Sequence, residues 1–287
     1  MRHQKGDRVR HPRKPDWGMG EVLDDSDGRE VRIFFENAGA RTLSLAYVDL
    51  EDISGNDAQS AHLDNLKLSP SSGGIEYQSL PDSIAFFRSE FSGGFHGDVY
   101  DEHERAYKVK THELAREVLA SEALQALLEK EDHAEVCRRA LKVLNASNLV
   151  SPFEKMALKD GLAGEAAERR FAAGLQELLY GDRALQPRFE AFASLLQDLD
   201  AGKWTLLTYY LYIVPPERYM FVKPTVLQHA ADLCRFEIQY RPEPNWLTYR
   251  RILDFSEYLR EQIEELEPRD MIDVQSFMWV IAPGSYR

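Results

Sequence analysis

Val31-Arg32-Ile33-Phe34-Phe35-Glu36 places Val31, Ile33 and Phe35 on one side of an extended chain and Arg32, Phe34 and Glu36 on the other. A period of two is that of a strand with one buried face. Turn clusters bound it: Asp24-Asp25-Ser26-Asp27-Gly28 before, Asn37-Ala38-Gly39 after, the latter leading into Thr42, Leu43 and Leu45. Val22-Leu23 and Val48-Asp49-Leu50 supply further short strands. A lone hairpin is not stable in water, so four or five short strands within residues 1–50 predict a compact SH3-like barrel.

Working outward, Ala61-His62-Leu63-Asp64-Asn65-Leu66 predicts one or two helical turns, and Ser69-Pro70-Ser71-Ser72-Gly73-Gly74 has the composition of a linker. Beyond it the period becomes helical. Leu114, Val118, Leu119, Leu124, Leu127 and Leu128 predict an amphipathic helix, and Val136, Ala140, Leu141 and Leu144 another. Ser151-Pro152-Phe153-Glu154 is a capping box with proline at the first helical position. Trp204 to Val214 is apolar all round, which predicts a central helix ended by Pro215-Pro216. Asn245 and Asp270 are suited to cap the last two long helices, and Arg235 to Tyr240 reads as extended. The expected fold class is therefore α+β and multidomain. A β-barrel over 1–55 and a linker with a short helix over 56–81 precede an all-α helical domain over 82–287.

Residues 1–50 hold nine Lys/Arg and nine Asp/Glu, so the whole net charge of −13 lies beyond residue 50. The first 20 residues carry six basic side chains against Asp7 and Asp16. A basic strip ahead of an acidic body suits a polyanion or an acidic protein face as partner, while the body itself repels nucleic acid. Cys137 and Cys234 are too few for a disulfide framework and lack zinc spacing. The start of the chain is polar, and the longest apolar run falls short of a membrane span. The expectation is a cytoplasmic protein with no membrane association.

Val9-Arg10-His11-Pro12, Trp17-Gly18-Met19-Gly20-Glu21-Val22 and the strand at 31–36 with Ala38-Gly39 resemble a bacterial module. It is the Tudor-like barrel at the C-termini of UvrD/PcrA-type helicases, which has a stand-alone relative of unknown function. Arg13-Lys14-Pro15-Asp16 replaces the tight Phe-Gly turn of the helicase version. The resemblance implies a barrel that binds a polymerase- or helicase-like protein partner, or nucleic acid directly. Its candidate binding residues are Arg8, Arg10, Lys14, Arg32 and Arg41 as cations, with Trp17 and Phe34 as rings at exposed parity. The alternative is a solvated surface with Phe34 docked on the helical body.

Tyr219 to Pro224 and Arg269 to Trp279 are similar to a block found in uncharacterised bacterial helical proteins. Lys223 is a charge in an apolar setting, and Gln275 shares a helix face with Trp279. Lys223, Arg269, Asp273 and Gln275 are accordingly a candidate ligand or nucleotide pocket, or else a buried polar network tying the last helix to the bundle. Elsewhere the chemistry is thin. His96, His103 and His112 with their carboxylates lack one-face metal-ligand spacing and read as polar loop and helix start, so no metal is expected. Pro81-Asp82 is followed by no acidic-x-Lys motif, and phosphate loops and dinucleotide fingerprints are absent, so no cofactor is expected. The leading expectation is a non-enzymatic adaptor in bacterial nucleic-acid transactions. A nucleic-acid-processing or defence enzyme with a site near Lys223 and Arg269, and a structural or oligomerisation protein, are the alternatives.

Overall fold

The alternating run is an interior strand of a small sheet. β1 (Arg8–Arg10), β2 (Met19–Val22), β3 (Glu30–Phe35), β4 (Gly39–Ser44) and β5 (Glu51–Ile53) pair antiparallel in the order β4-β3-β2-β1-β5. The computed structural model describes residues 3–67 and 80–286. The chain divides into two compact units, Met1–Ser79 with Cys234–Glu237, and Leu80–Leu233 with Ile238–Arg287. The linker read at Ser69 to Gly74 lies outside the described residues.

Register places Val9, Gly20 and Phe35 in one cross-strand row and Arg8, Glu21 and Phe34 in the next. Successive side chains point to opposite faces, so the two rows lie on opposite sides of the sheet. The first faces the core of Val9, Val22, Ile33, Phe35 and Leu50. A Cβ on Gly20 would stand 2.6 Å from Ile33 Cγ2 and 2.8 Å from Phe35 Cδ1, so only glycine lets those side chains fold across β2. The second face is covered too. After β5 the chain turns through 3₁₀ segments Gly55–Ala58 and Leu63–Asn65, and Leu63 joins Met19, Leu23 and Phe34 in a second cluster.

Residues 56–67, expected in a linker, thus belong to the N-terminal unit. So do Cys234–Glu237, read from sequence as helical-domain residues: Leu66 bridges Phe236, with Lys67 N–H donating to Arg235 O and Glu237 N–H to Asn65 O. The run from Arg235 to Tyr240, expected to be extended, is interrupted by left-handed turns at Arg235 (φ 55°) and Gln239 (φ 48°), and the pairing is a single bridge at Phe236. His62 is sealed here at 2% exposure, edge-on to Phe34, parallel to Phe236, with Nε2 2.5 Å from Cys234 O. Burial lowers its pKa to about 4, the bond to the Cys234 carbonyl acting the other way.

The second unit is helical: α1 (Leu80–Glu90), α2 (Asp98–Tyr100), α3 (Ala106–Val118), α4 (Ser121–Glu129), α5 (His133–Asn145) and α6 (Pro152–Gly161). There follow α7 (Glu165–Tyr180), α8 (Leu185–Asp198), α9 (Trp204–Ile213), α10 (Pro224–Leu233), α11 (Trp246–Gln262) and α12 (Met271–Ile281). The capping signals act as the sequence suggests. Ser151 and Glu154 close a reciprocal box, Asn245 accepts from Thr248 N–H, and Asp270 accepts from Ile272 and Asp273 N–H. Every residue of α9 is buried, between α3, α6, α7 and α8. The pattern from Leu114 to Leu128 is two helices rather than one. Ala120 takes an extended ψ of 146°, which lets Leu119 at the C-cap of α3 and Leu124 of α4 both be fully buried.

Candidate functional site

The basic N-terminal residues separate into paired and free side chains. Arg8 is spent on structure: its guanidinium meets Glu21 across the β1–β2 pair and Asp64 at 2.6 Å, and the side chain is 12% exposed. Phe34 is likewise not a contact residue. It lies on the face its parity predicts, but the Leu63 turn and His62 cover that face and leave the ring 4% exposed. Both corrections have one cause, the chain after β5 folding back over the outer side of the sheet. Arg32 is exposed and stands 3.5 Å from Asp24. Arg10 and Lys14 are exposed.

Trp17 and Arg41 form the functional candidate of this unit. Trp17 is half-buried, packed 5.1 Å from both Phe35 and His11, and the Arg41 guanidinium lies 5.9 Å above its ring. Arg41 pairs with Ile33 in the β3–β4 register, which places it on the core face at the sheet edge. Two residues missed in the sequence connect to this pair through His11, whose Nδ1 accepts from Arg13 N–H. Tyr47 is 81% exposed, and Arg13 Nη2 donates to its carbonyl at 2.5 Å. Their signal was faint, because a lone tyrosine in a loop and an arginine beside a lysine carry no pattern of their own.

In the helical unit the four candidate pocket residues do not form one site. Asp273 is fully buried and is the hub of an ionic network. It receives Tyr100 Oη at 2.7 Å, Arg105 Nη1 at 2.8 Å and Arg269 Nε at 2.9 Å. Arg105 also makes a bidentate pair with Asp270, and Arg269 Nη2 reaches Phe95 O at 2.6 Å. Burial pushes the Asp273 pKa up, but the Arg269 bonds and the Arg105 charge outweigh it and hold the carboxyl below its ordinary value. Asp273 and Arg269 take part in a buried polar network. It joins α12 to the segment from Phe95 to Arg105.

Lys223 and Gln275 instead line a separate cavity of 280 Å³, with Glu104, Lys108 and Trp279. Glu104 and Lys108 reach it because α2 and α3 are joined by a π-wound turn, Asp101–Arg105. Such turns insert an extra residue and recur at functional sites. Lys108 is 1% exposed and donates to Ser276 Oγ at 2.7 Å and Glu104 Oε2 at 3.4 Å, while Tyr286 Oη donates to Glu104 Oε1 at 2.8 Å. Burial lowers the Lys108 pKa to about 8 against the attraction of Glu104. Glu104 and Lys108 escaped the sequence reading because a Glu–Lys pair four residues apart usually marks a solvated helix face.

Residues 4–53 match a family described as a protein of unknown function (DUF3553). The match covers the five strands. No curated protein and no solved structure matches the chain. Among the described residues, no group of three His, Cys, Asp or Glu side chains could hold a metal ion, and no helix is long and apolar enough to cross a membrane. Cys137 and Cys234 are buried free thiols pushed up to about 12 by burial, which keeps them unreactive.

Proposed function

We propose that this protein is a non-enzymatic cytoplasmic adaptor in bacterial nucleic-acid transactions, recruiting a polymerase- or helicase-like protein through an N-terminal Tudor-like barrel of SH3 type. The observation that carries the reading is the Arg41 guanidinium over the half-buried Trp17 ring, linked through His11 to Arg13, which donates to the carbonyl of Tyr47, 81% exposed. Aromatic and arginine side chains anchor protein interfaces more often than other types. The strand order, with the last strand paired to the first, supports a barrel of this type, and the resemblance read at Trp17 to Val22 supports the Tudor-like assignment. A protein partner is favoured over a polynucleotide because the chain carries a net charge of −13.

The test uses the full chain as bait in a bacterial lysate, compared with Arg41→Glu/Tyr47→Ala, both changes at exposed positions. The polymerase or helicase subunits captured by the parent should fall about tenfold or more in the variant, as for loss of interface anchors. Equal capture by both proteins refutes the patch. Titration with single-stranded and duplex DNA over a salt series separates the direct nucleic-acid reading, which requires affinity that falls steeply as salt rises.

A further inference from the structure

The cavity in the helical unit contains polar groups that its own side chains leave unmatched. Gln275 is 4% exposed, and its Oε1 has no access to solvent and no hydrogen-bond donor among the described residues. A buried acceptor without a donor is a standing cost to the fold. Lys223 rests its ammonium 4.2 Å from the centre of the Trp279 ring, and it forms no ion pair with a carboxylate among the described residues. Glu104 meets neither need: its carboxylate offers Gln275 no donor, and the bonds its oxygens make are to Lys108 and Tyr286. With Lys108 and Lys223 charged and Glu104 ionised, these groups carry one net positive charge. The unmet requirements are therefore a single negative charge and an N–H donor.

The cavity also limits size. Its 280 Å³ corresponds to about nine water volumes of ~30 Å³ each. Pockets for drug-sized ligands begin at about 300 Å³, so the cavity suits a small metabolite. We propose that this cavity binds a small monoanionic carboxylate bearing an amide N–H, the chemistry of an N-acylated amino acid, with the carboxylate on Lys223 and the N–H donated to Gln275 Oε1. Trp279, under the Lys223 ammonium, reports occupancy. The site is independent of the recruiting patch, and either can fail without the other.

The experiment titrates the full chain with N-acetylglycine, following tryptophan fluorescence and melting temperature. Acetate supplies the charge without the N–H, and N-methylacetamide the N–H without the charge. N-Acetylglycine should give a saturable rise in melting temperature, with each control weaker by about tenfold or more, the worth of one charge-assisted hydrogen bond. Lys223→Met and Gln275→Leu should each abolish that rise. Gln275→Leu should itself melt no lower than the parent, because an apolar side chain of similar shape removes the orphaned acceptor. Absence of a saturable response to millimolar N-acetylglycine overturns the proposal, as does a response that survives undiminished in Gln275→Leu. A cavity filled only by water would give the first of these results.

Discussion

Acidification should loosen the N-terminal unit through one side chain, His62. The imidazole is neutral, 2% exposed, and held between Phe34, Phe236 and the Cys234 carbonyl. In the unfolded chain it takes up a proton near 6.5, and in the folded chain only near about 4, because burial penalises the charged form. Between those values the unfolded state binds more protons, so stability falls as pH falls; above 6.5 the residue contributes no pH dependence, and below about 4 the loss is complete. Relative to neutral pH the loss is about 2 kcal/mol at about pH 5 and about 3 kcal/mol at about pH 4. The His62 ring can be titrated by NMR, and amide hydrogen exchange in β1, β2 and β3 reports the opening free energy of the sheet at each pH. His62→Phe keeps a ring but orphans the Cys234 carbonyl, which costs about 1–3 kcal/mol at every pH. The parent should therefore exceed the variant at neutral pH and lose that lead on acidification. A gap that stays constant from pH 7 to about pH 4, or a ring that titrates near its free value, refutes the reasoning.

Phe34→Ala should destabilise the N-terminal unit by about 3–5 kcal/mol, the cost of deleting a buried ring, whereas Arg32→Ala should change it by less than about 0.5 kcal/mol. Hydrogen exchange on the full chain distinguishes the two, and near-equal small effects would show Phe34 to be a surface residue. Asp273→Asn should cost about 3–5 kcal/mol in urea unfolding of the helical unit, because it leaves Arg105 and Arg269 without their shared buried carboxylate. Trp204, Trp246 and Trp279 provide the fluorescence signal, and a loss below about 1 kcal/mol would mean that water replaces the pairing.

The elements that were legible in the sequence are those with a local cause. The strand at 31–35 announces itself by parity, α9 by a run with no polar face, and the starts of α6, α11 and α12 by side chains that satisfy their own helix ends. Phe34 marks where that logic stops. Parity correctly assigns its face, but whether the face meets water depends on Leu63 and His62, which return from some thirty residues away. Lys223 and Gln275 were singled out for an apolar setting and a shared helix face, and they do meet at one cavity. Their companions Glu104 and Lys108 were not found, since the π-wound turn that brings both to the interior has no sequence signature.

Periodicity, capping and charge balance thus establish by themselves a β-rich neutral beginning and an acidic helical remainder, because each arises from neighbours within a few residues along the chain. Which charges are free and which are consumed is a property of distance in space. Arg8 and Arg41 are indistinguishable as letters, yet one is neutralised by Glu21 and Asp64 and the other lies over an indole. That division was decided only by folding, when strand register and the returning segment set which side chains came within a few ångströms of each other.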